Sequence, residues 1–231
     1  MRTLADGLMH PGGEALTREL GEVMALEAGA RVLDLGAGAG TSAMLLARSR
    51  GWHTLGLDHG VPAGDCDRPW LRADLRRLPL ADGRLDGALS ECVLSLFEQP
   101  GGVLGEWRRV LRPGGVLGIS DMTRGDGLPD ELGARLAPWT CLVNARSLQD
   151  WKAQFEASGF EVAWMRDASD GVLELLARLK RRLLMAASGA LWPGAKRLPF
   201  DVDEVRRGLA EAESAVRAGH IGYFAAVLRA T

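Results

Sequence analysis

Apolar residues in this chain recur with two periods that take turns. Leu16, Leu20, Val23 and Met24 fall at helical spacing over Glu14–Leu26, and the next apolar run, Arg31–Leu35, is short and dense enough for a buried strand. Thr41–Ser49 follows as a helix with Met44, Leu45 and Leu46 on its inner side, and His53–Leu57 as a strand that ends at Asp58. Beyond the turn-rich stretch Gly60–Pro69, Trp70–Arg72 makes a third strand that stops before Asp74, and Leu85–Ser90 a fourth. Gly102–Leu111 is the crossover helix to a fifth strand, Val116–Ser120, with Arg112–Gly115 as a turn before it. A helix at Leu148–Ser158, a strand at Phe160–Met165 and a long helix at Val172–Met185 continue the alternation. A Gly/Pro-rich connection, Ser188–Pro199, leads to a helix at Asp203–Ala218 and a last strand at Ile221–Leu228.

Strands that alternate with helices are the pattern of a parallel sheet covered on both faces. The expected fold is α/β: a doubly wound, seven-stranded, mostly parallel sheet whose last strand is antiparallel, at the edge, with a small helical cap. The 231 residues suffice for one such domain. Its parts are expected to be an N-terminal helical lid (1–28), a cofactor-binding half (29–122) and a cap and substrate half (123–231). The cap would draw on the N-terminal segment, 123–147 and 176–200.

Composition removes several classes of partner. A net charge of −2 supplies no basic field for nucleic acid. No window approaches the roughly 18 uninterrupted apolar residues of a membrane span, so stable membrane association is not expected. Met1–Gly13 has no apolar stretch fit for a signal peptide. Cys66, Cys92 and Cys141 are too few for a disulfide framework and lack C-x-x-C zinc spacing, so no metal is expected. A cytoplasmic protein with reduced thiols, monomeric or homodimeric, is the simplest expectation.

The chemistry concentrates in Leu33–Thr41 (LDLGAGAGT), a glycine loop between strand and helix. Glycines there let the backbone turn sharply and approach a ligand that any side chain would exclude. Such a loop could serve NAD, FAD or a phosphate, but G-x-G-x-x-G from Gly36 needs glycine where Thr41 stands, and no Gly-Lys-Ser/Thr ending makes a P-loop. Asp34, two residues before the first glycine, suits a ligand with an ammonium and a sulfonium and would repel a pyrophosphate. Asp58 is placed to accept from a ribose diol, and Asp74 from an adenine amino group, with Leu75 beside it offering backbone and apolar surface. Three acids after three successive strands form a set.

DLGAGAG at 34–40, Asp58, ADLRRLPLADGRLD at 73–86 and WRRVLRPGG at 107–115 resemble the class I, Rossmann-like S-adenosylmethionine-dependent methyltransferase family. The resemblance covers 30–122 well and the whole chain more loosely. It implies S-adenosylmethionine as cofactor and in-line methyl transfer to a nucleophile. It also implies cofactor contacts from Asp34, Gly36, Ala37, Gly38, Gly40, Asp58, Asp74, Leu75, Ser90 and Glu91. Ser90–Leu96 (SECVLSL) stands where related DNA and protein-glutamine methyltransferases carry an Asn-Pro-Pro-Tyr type motif, so amino methylation of a base is disfavoured. A small-molecule substrate is expected, as in the methyltransferases of quinone biosynthesis. Cys92 and Cys141 also resemble the paired cysteines of arsenite methyltransferases, which would make them substrate contacts for a soft centre. The upstream cysteine of that family is absent, and Val143-Asn144 replaces its Gly-Gly, so two packing cysteines remain the competing reading. A non-catalytic cofactor-binding subunit is a third.

Weaker signals are His10, a candidate lid residue or a helix-start turn, and Trp139, a candidate pocket wall or packing residue. Arg178, Lys180, Arg181 and Arg182 make a basic run that would draw an anion or lipid surface, or simply face solvent. Tyr223, the only tyrosine, reads as structural.

Overall fold

The computed structural model describes residues 10–60, 69–136, 140–187 and 201–231. Among them seven strands form one sheet: β1 (Arg31–Leu35), β2 (His53–Asp58), β3 (Trp70–Arg72), β4 (Leu85–Glu91), β5 (Leu111–Arg124), β6 (Phe160–Asp167) and β7 (Ile221–Ala230). Their order is β3-β2-β1-β4-β5-β7-β6, parallel from β3 to β5, with β7 antiparallel to both β5 and β6. The helices are α1 (Gly13–Val23), α2 (Thr41–Arg50), α3 (Pro100–Val110), α4 (Asp130–Leu136), α5 (Leu148–Ala157), α6 (Asp170–Ala187) and α7 (Val202–Arg217). No helix of the described residues is long and apolar enough to cross a membrane.

Side-chain alternation along each strand divides the core in two. On β7, Tyr223, Ala225 and Val227 join Leu16 and Leu20 of α1, Leu46 of α2, Val172 and Leu176 of α6 and Leu209 of α7. Phe224, Ala226 and Leu228 point the other way, onto Val103, Leu104 and Trp107 of α3 and Trp151 and Phe155 of α5. Trp151, Phe155 and Phe224 pack with ring centroids 5.9–6.2 Å apart, and the Trp151 indole donates to the Met122 carbonyl at 3.0 Å. That second layer is apolar and buried. The first layer carries the site.

Four details differ from the sequence reading. The antiparallel last strand is not at the edge: β7 lies between β5 and β6, and β6 is the outer strand. Period alone carries no information on strand order. Arg112–Gly115 belongs to β5 rather than to a free turn; a register shift between Leu85 and Gly87 of β4 absorbs the extra residues, with Gly114 at φ +72°. The inner face of α2 is Ala43 and Leu46, with Met44 and Leu45 half-buried. Helix α4 was not expected, nor the single 3-10 turn at Leu94–Leu96. Cys66, Trp139, the Ser188–Pro199 connection and the first nine residues of the expected lid lie outside the described residues.

Candidate active site

The same alternation that buries the core sends a set of polar residues to one place. Asp34 on β1, Glu91 on β4, Ser120 and Met122 on β5 and Tyr223 on β7 all take the α1–α2–α6 face near the strand ends. The glycine loop rims them. Gly36 and Ala37 donate to the Leu57 carbonyl (2.8 and 3.1 Å), and Gly36, Gly38 and Gly40 have φ of +76°, +53° and +74°, which side chains other than glycine rarely adopt. A Cβ at Gly36 would stand 2.5 Å from Val93, whereas one at Gly38 would meet no protein atom within 4 Å. Asp58 accepts from the Gly38 amide and the Gly60 amide (both 3.0 Å) and pairs with His59, so it braces the loop from below.

Glu91 is the hub. Its carboxylate accepts from Ser42 Oγ (2.6 Å) at the start of α2 and from Thr17 Oγ1 (3.0 Å) on α1, and lies 3.0 Å from His10 Nε2. Burial pulls the His10 pKa down, but the charge and hydrogen bond of Glu91 outweigh it, and the net direction is up. With Nδ1 2.8 Å from the Pro11 carbonyl, both ring nitrogens of His10 face acceptors, as the imidazolium requires. Asp34 is 5% exposed and caps α2 by accepting from the Ala43 amide at 3.1 Å. Burial, and then the charge of Glu91, push its carboxyl up to about 7.

The two cysteines meet beside this hub. Cys92 is a non-glycine residue at φ +58°, held there by its amide donating to the Ser120 carbonyl (2.8 Å). The Cys92 sulfur lies 3.2 Å from the Tyr223 hydroxyl, which is itself 3.0 Å from Ser120 Oγ. Cys141 donates its thiol to the Cys92 carbonyl at 3.1 Å. The adjoining Cys141 thiol, and then burial, push the Cys92 thiol well above its usual range, so it is protonated at neutral pH. Both residues are half-buried and free.

One cavity of about 590 Å³ joins these parts. Its lining combines Gly36, Ala37 and Ala39 of the loop, the acidic residues Glu14, Asp34 and Glu91, the thiols of Cys92 and Cys141, and an apolar wall of Met122, Val172, Leu176 and Leu179. No lysine or arginine stands among its described lining residues. Of the residues expected at the site, Asp34, Gly36, Ala37, Glu91, Cys92 and Cys141 are brought together, while Gly38, Gly40 and Asp58 form the loop's outer edge. Asp74 is exposed and turned onto Arg76, whose hydrogen bonds hold its carboxyl down at about 2. Leu75 gives its carbonyl to the Trp107 indole (3.1 Å). Ser90, paired with Leu35, is buried on the opposite face without a hydrogen-bond partner. Among the described residues no three His, Cys, Asp or Glu side chains converge as metal ligands.

Residues 33–119 match the methyltransferase domain family. The chain is 32% identical over 172 residues to an O-methyltransferase of Aspergillus nomiae, a match covering 68% of this chain and 76% of that protein. The chain belongs to the class I S-adenosylmethionine-dependent methyltransferases. It is also 32% identical over 151 residues to an arsenite methyltransferase of Halobacterium salinarum, though that match spans 59% of this chain and only 39% of the relative's length. In fold it is similar to a Thiobacillus denitrificans S-adenosylmethionine-dependent methyltransferase solved with S-adenosyl-L-homocysteine, at TM-score 0.73 and 21% identity, covering 100% of this chain and 97% of that one.

The cofactor of this methyltransferase is S-adenosylmethionine, and the cavity suits it. Three acidic residues against one cation, His10, with no lysine or arginine among the described lining residues, favour a ligand that carries an ammonium and a sulfonium over one that carries phosphates. The open space at Gly38 leaves room where the loop backbone must be approached closely. Sequence reasoning missed Glu14, which lines the cavity, and Thr17 and Ser42, ordinary helix residues until folding brings them to Glu91; Tyr223, read as structural, is buried with its hydroxyl beside Cys92 and Ser120. The one signal available was position: Ser42 opens the helix after the glycine loop, and Thr17 lies one turn after Gly13.

Proposed function

We propose that this methyltransferase moves a methyl group from S-adenosylmethionine to a small molecule seated against Cys92, Cys141 and the apolar wall. The carrying observation is that the glycine loop, the carboxylates, the two thiols and that apolar wall line one cavity. When bound, the cofactor supplies an activated methyl electrophile. Glu91 and Asp34 would face its cationic amino-acid end and Asp58 and Gly38 its ribose side; Asp74 with Leu75 would meet the adenine only once Asp74 turns away from Arg76. The chain's own contribution is to hold donor and acceptor in line and keep water out. The similarity to a fungal O-methyltransferase favours an acceptor of this size over nucleic acid, and a monomer or homodimer suffices for it.

A second reading has its own support. Two adjoining thiols fit a soft trivalent centre, and an arsenite methyltransferase is among the relatives. Calorimetry with S-adenosylmethionine tests the first step, and tight NAD binding with no S-adenosylmethionine binding overturns the whole reading. Arsenite with excess thiol and labelled cofactor then separates the two acceptors. Under the metalloid reading Cys92→Ser and Cys141→Ser each lose methylation of arsenite almost completely. Wild-type protein that leaves arsenite unmethylated, or a serine variant that remains active on it, removes that reading and leaves the thiols as walls for an organic acceptor.

A further inference from the structure

A second chamber, of about 550 Å³, lies between α4, α6 and α7. It touches the cofactor cavity through a shared partition: Thr140, Leu176 and Leu179 line both. Its inner surface is apolar, from Leu136, Leu209 and Ala212, and its rim is charged, with Arg135 paired to Glu211. Gly208 borders this space. It sits inside α7, where alanine would make the better helix, and a Cβ there would meet nothing within 4 Å, so no packing neighbour demands a glycine. Nearby glycines differ: a Cβ at Gly133 would stand 3.0 Å from Arg124.

Resting on the methyltransferase reading above, we propose that this chamber takes the apolar tail of the methyl acceptor. The substrate class is an elongated amphiphile: a compact nucleophilic head beside Cys92 and Cys141, and a chain that passes Leu176 and Leu179 into the space under Gly208. The partition is made of one threonine hydroxyl and two leucine side chains, the kind of surface an alkyl chain lies against without leaving a buried polar group unpaired. A head-only acceptor would leave the chamber to water against apolar walls.

Straight-chain 1-alkanols from butanol to dodecanol are head-neutral probes of the tail site. Titrated calorimetrically into the full chain with saturating S-adenosylhomocysteine, they are expected to bind one per protein. Affinity should rise by about fourfold per methylene until the space is full, the value for burying such a group. Gly208→Phe fills the chamber and should weaken 1-decanol by about tenfold or more, while S-adenosylhomocysteine affinity stays unchanged. Gly208→Ala, the control, should change neither. Val205→Phe, from the same helix, is the second blocking variant should Gly208→Phe fold poorly. Alkanol affinity that is flat with chain length, or undiminished by both blocking variants, overturns the proposal. So does a crystal soaked with 1-decanol in which the alkyl chain lies outside the space between α4, α6 and α7. Loss of S-adenosylhomocysteine binding by the wild type would instead overturn the methyltransferase reading, which keeps the two failures apart.

Discussion

Asp34 couples the fold to the ligand through a single proton. Its folded pKa of about 7 lies above the ordinary 3.8, because the carboxylate is buried and faces Glu91. An acid with a raised folded pKa holds its proton more tightly when folded, so its contribution is intact below about pH 4 and is lost as pH climbs to about 7. Asp121, buried against Ser95 and raised to about 6, acts with the same sign. The cofactor-free protein is therefore expected to lose stability from pH 4 to 7, by an amount on the order of a few kcal/mol. Urea titrations across that range check this, and Asp34→Asn should flatten the slope. A wild-type profile that rises over the same interval would contradict the assignment. A cationic ligand reverses the balance by favouring ionised Asp34. Binding of S-adenosylmethionine at pH 6 should then release protons, which calorimetry in buffers of different ionisation enthalpy detects, and Asp34→Asn should abolish part of the release.

At the scale of elements, helix α1 is tied to the sheet by the Glu19–Arg166 ion pair on β6 and, over the cavity, by one hydroxyl. Its apolar stripe, Leu16 and Leu20, enters the core, but the contact that seats its first turns over the cavity is Thr17 to Glu91, with His10 alongside. Thr17→Val keeps the shape, removes the donor and leaves Glu91 a partner short, at a cost of about 1–2 kcal/mol. The expected readouts are a melting temperature lower by about 2–8 °C and weaker cofactor binding, both restored by Thr17→Ser. An unchanged cofactor affinity would leave α1 as packing only. The strands and long helices were legible because period two and period 3.6 are printed in the residues themselves. Asp130–Leu136 was not, since seven residues with two leucines show no period, and the β5 bulge was hidden because Arg-Pro-Gly-Gly reads as a turn whether or not a neighbouring strand absorbs it. The placement of β7 inside the sheet depends on contacts across the whole chain, which no local pattern records.

At the scale of the whole molecule, the site was legible where chemistry and position coincide. Asp34, the glycine loop, Glu91 and Cys92 lie at strand ends, and parallel strands deliver their ends to one edge of the sheet, while Cys141 arrives from the turn after α4. Ser90 also follows that rule in sequence, yet one residue of alternation turns it to the far face, and Asp74 satisfies itself locally on Arg76. A strand end thus predicts an address to within one residue, and the side a residue faces has to come from the register. The same convergence makes the ligand a global clamp, since α1, α2, β4 and the α6 wall border one cavity. A ligand that binds only the folded state at one hundred times its dissociation constant adds about 2.7 kcal/mol. For a chain of this length that raises the melting temperature by about 5–10 °C. S-adenosylhomocysteine lacks the sulfonium charge but keeps the ammonium, so its shift should still depend on Asp34. The rise is expected to be largest near pH 8, where Asp34 is ionised in both states, and to shrink towards pH 5, where binding must first expel its proton. Scanning calorimetry at fixed ligand excess measures this. A shift independent of pH in the wild type would separate Asp34 from the cofactor, and the same flat profile appearing only in Asp34→Asn would tie the two together.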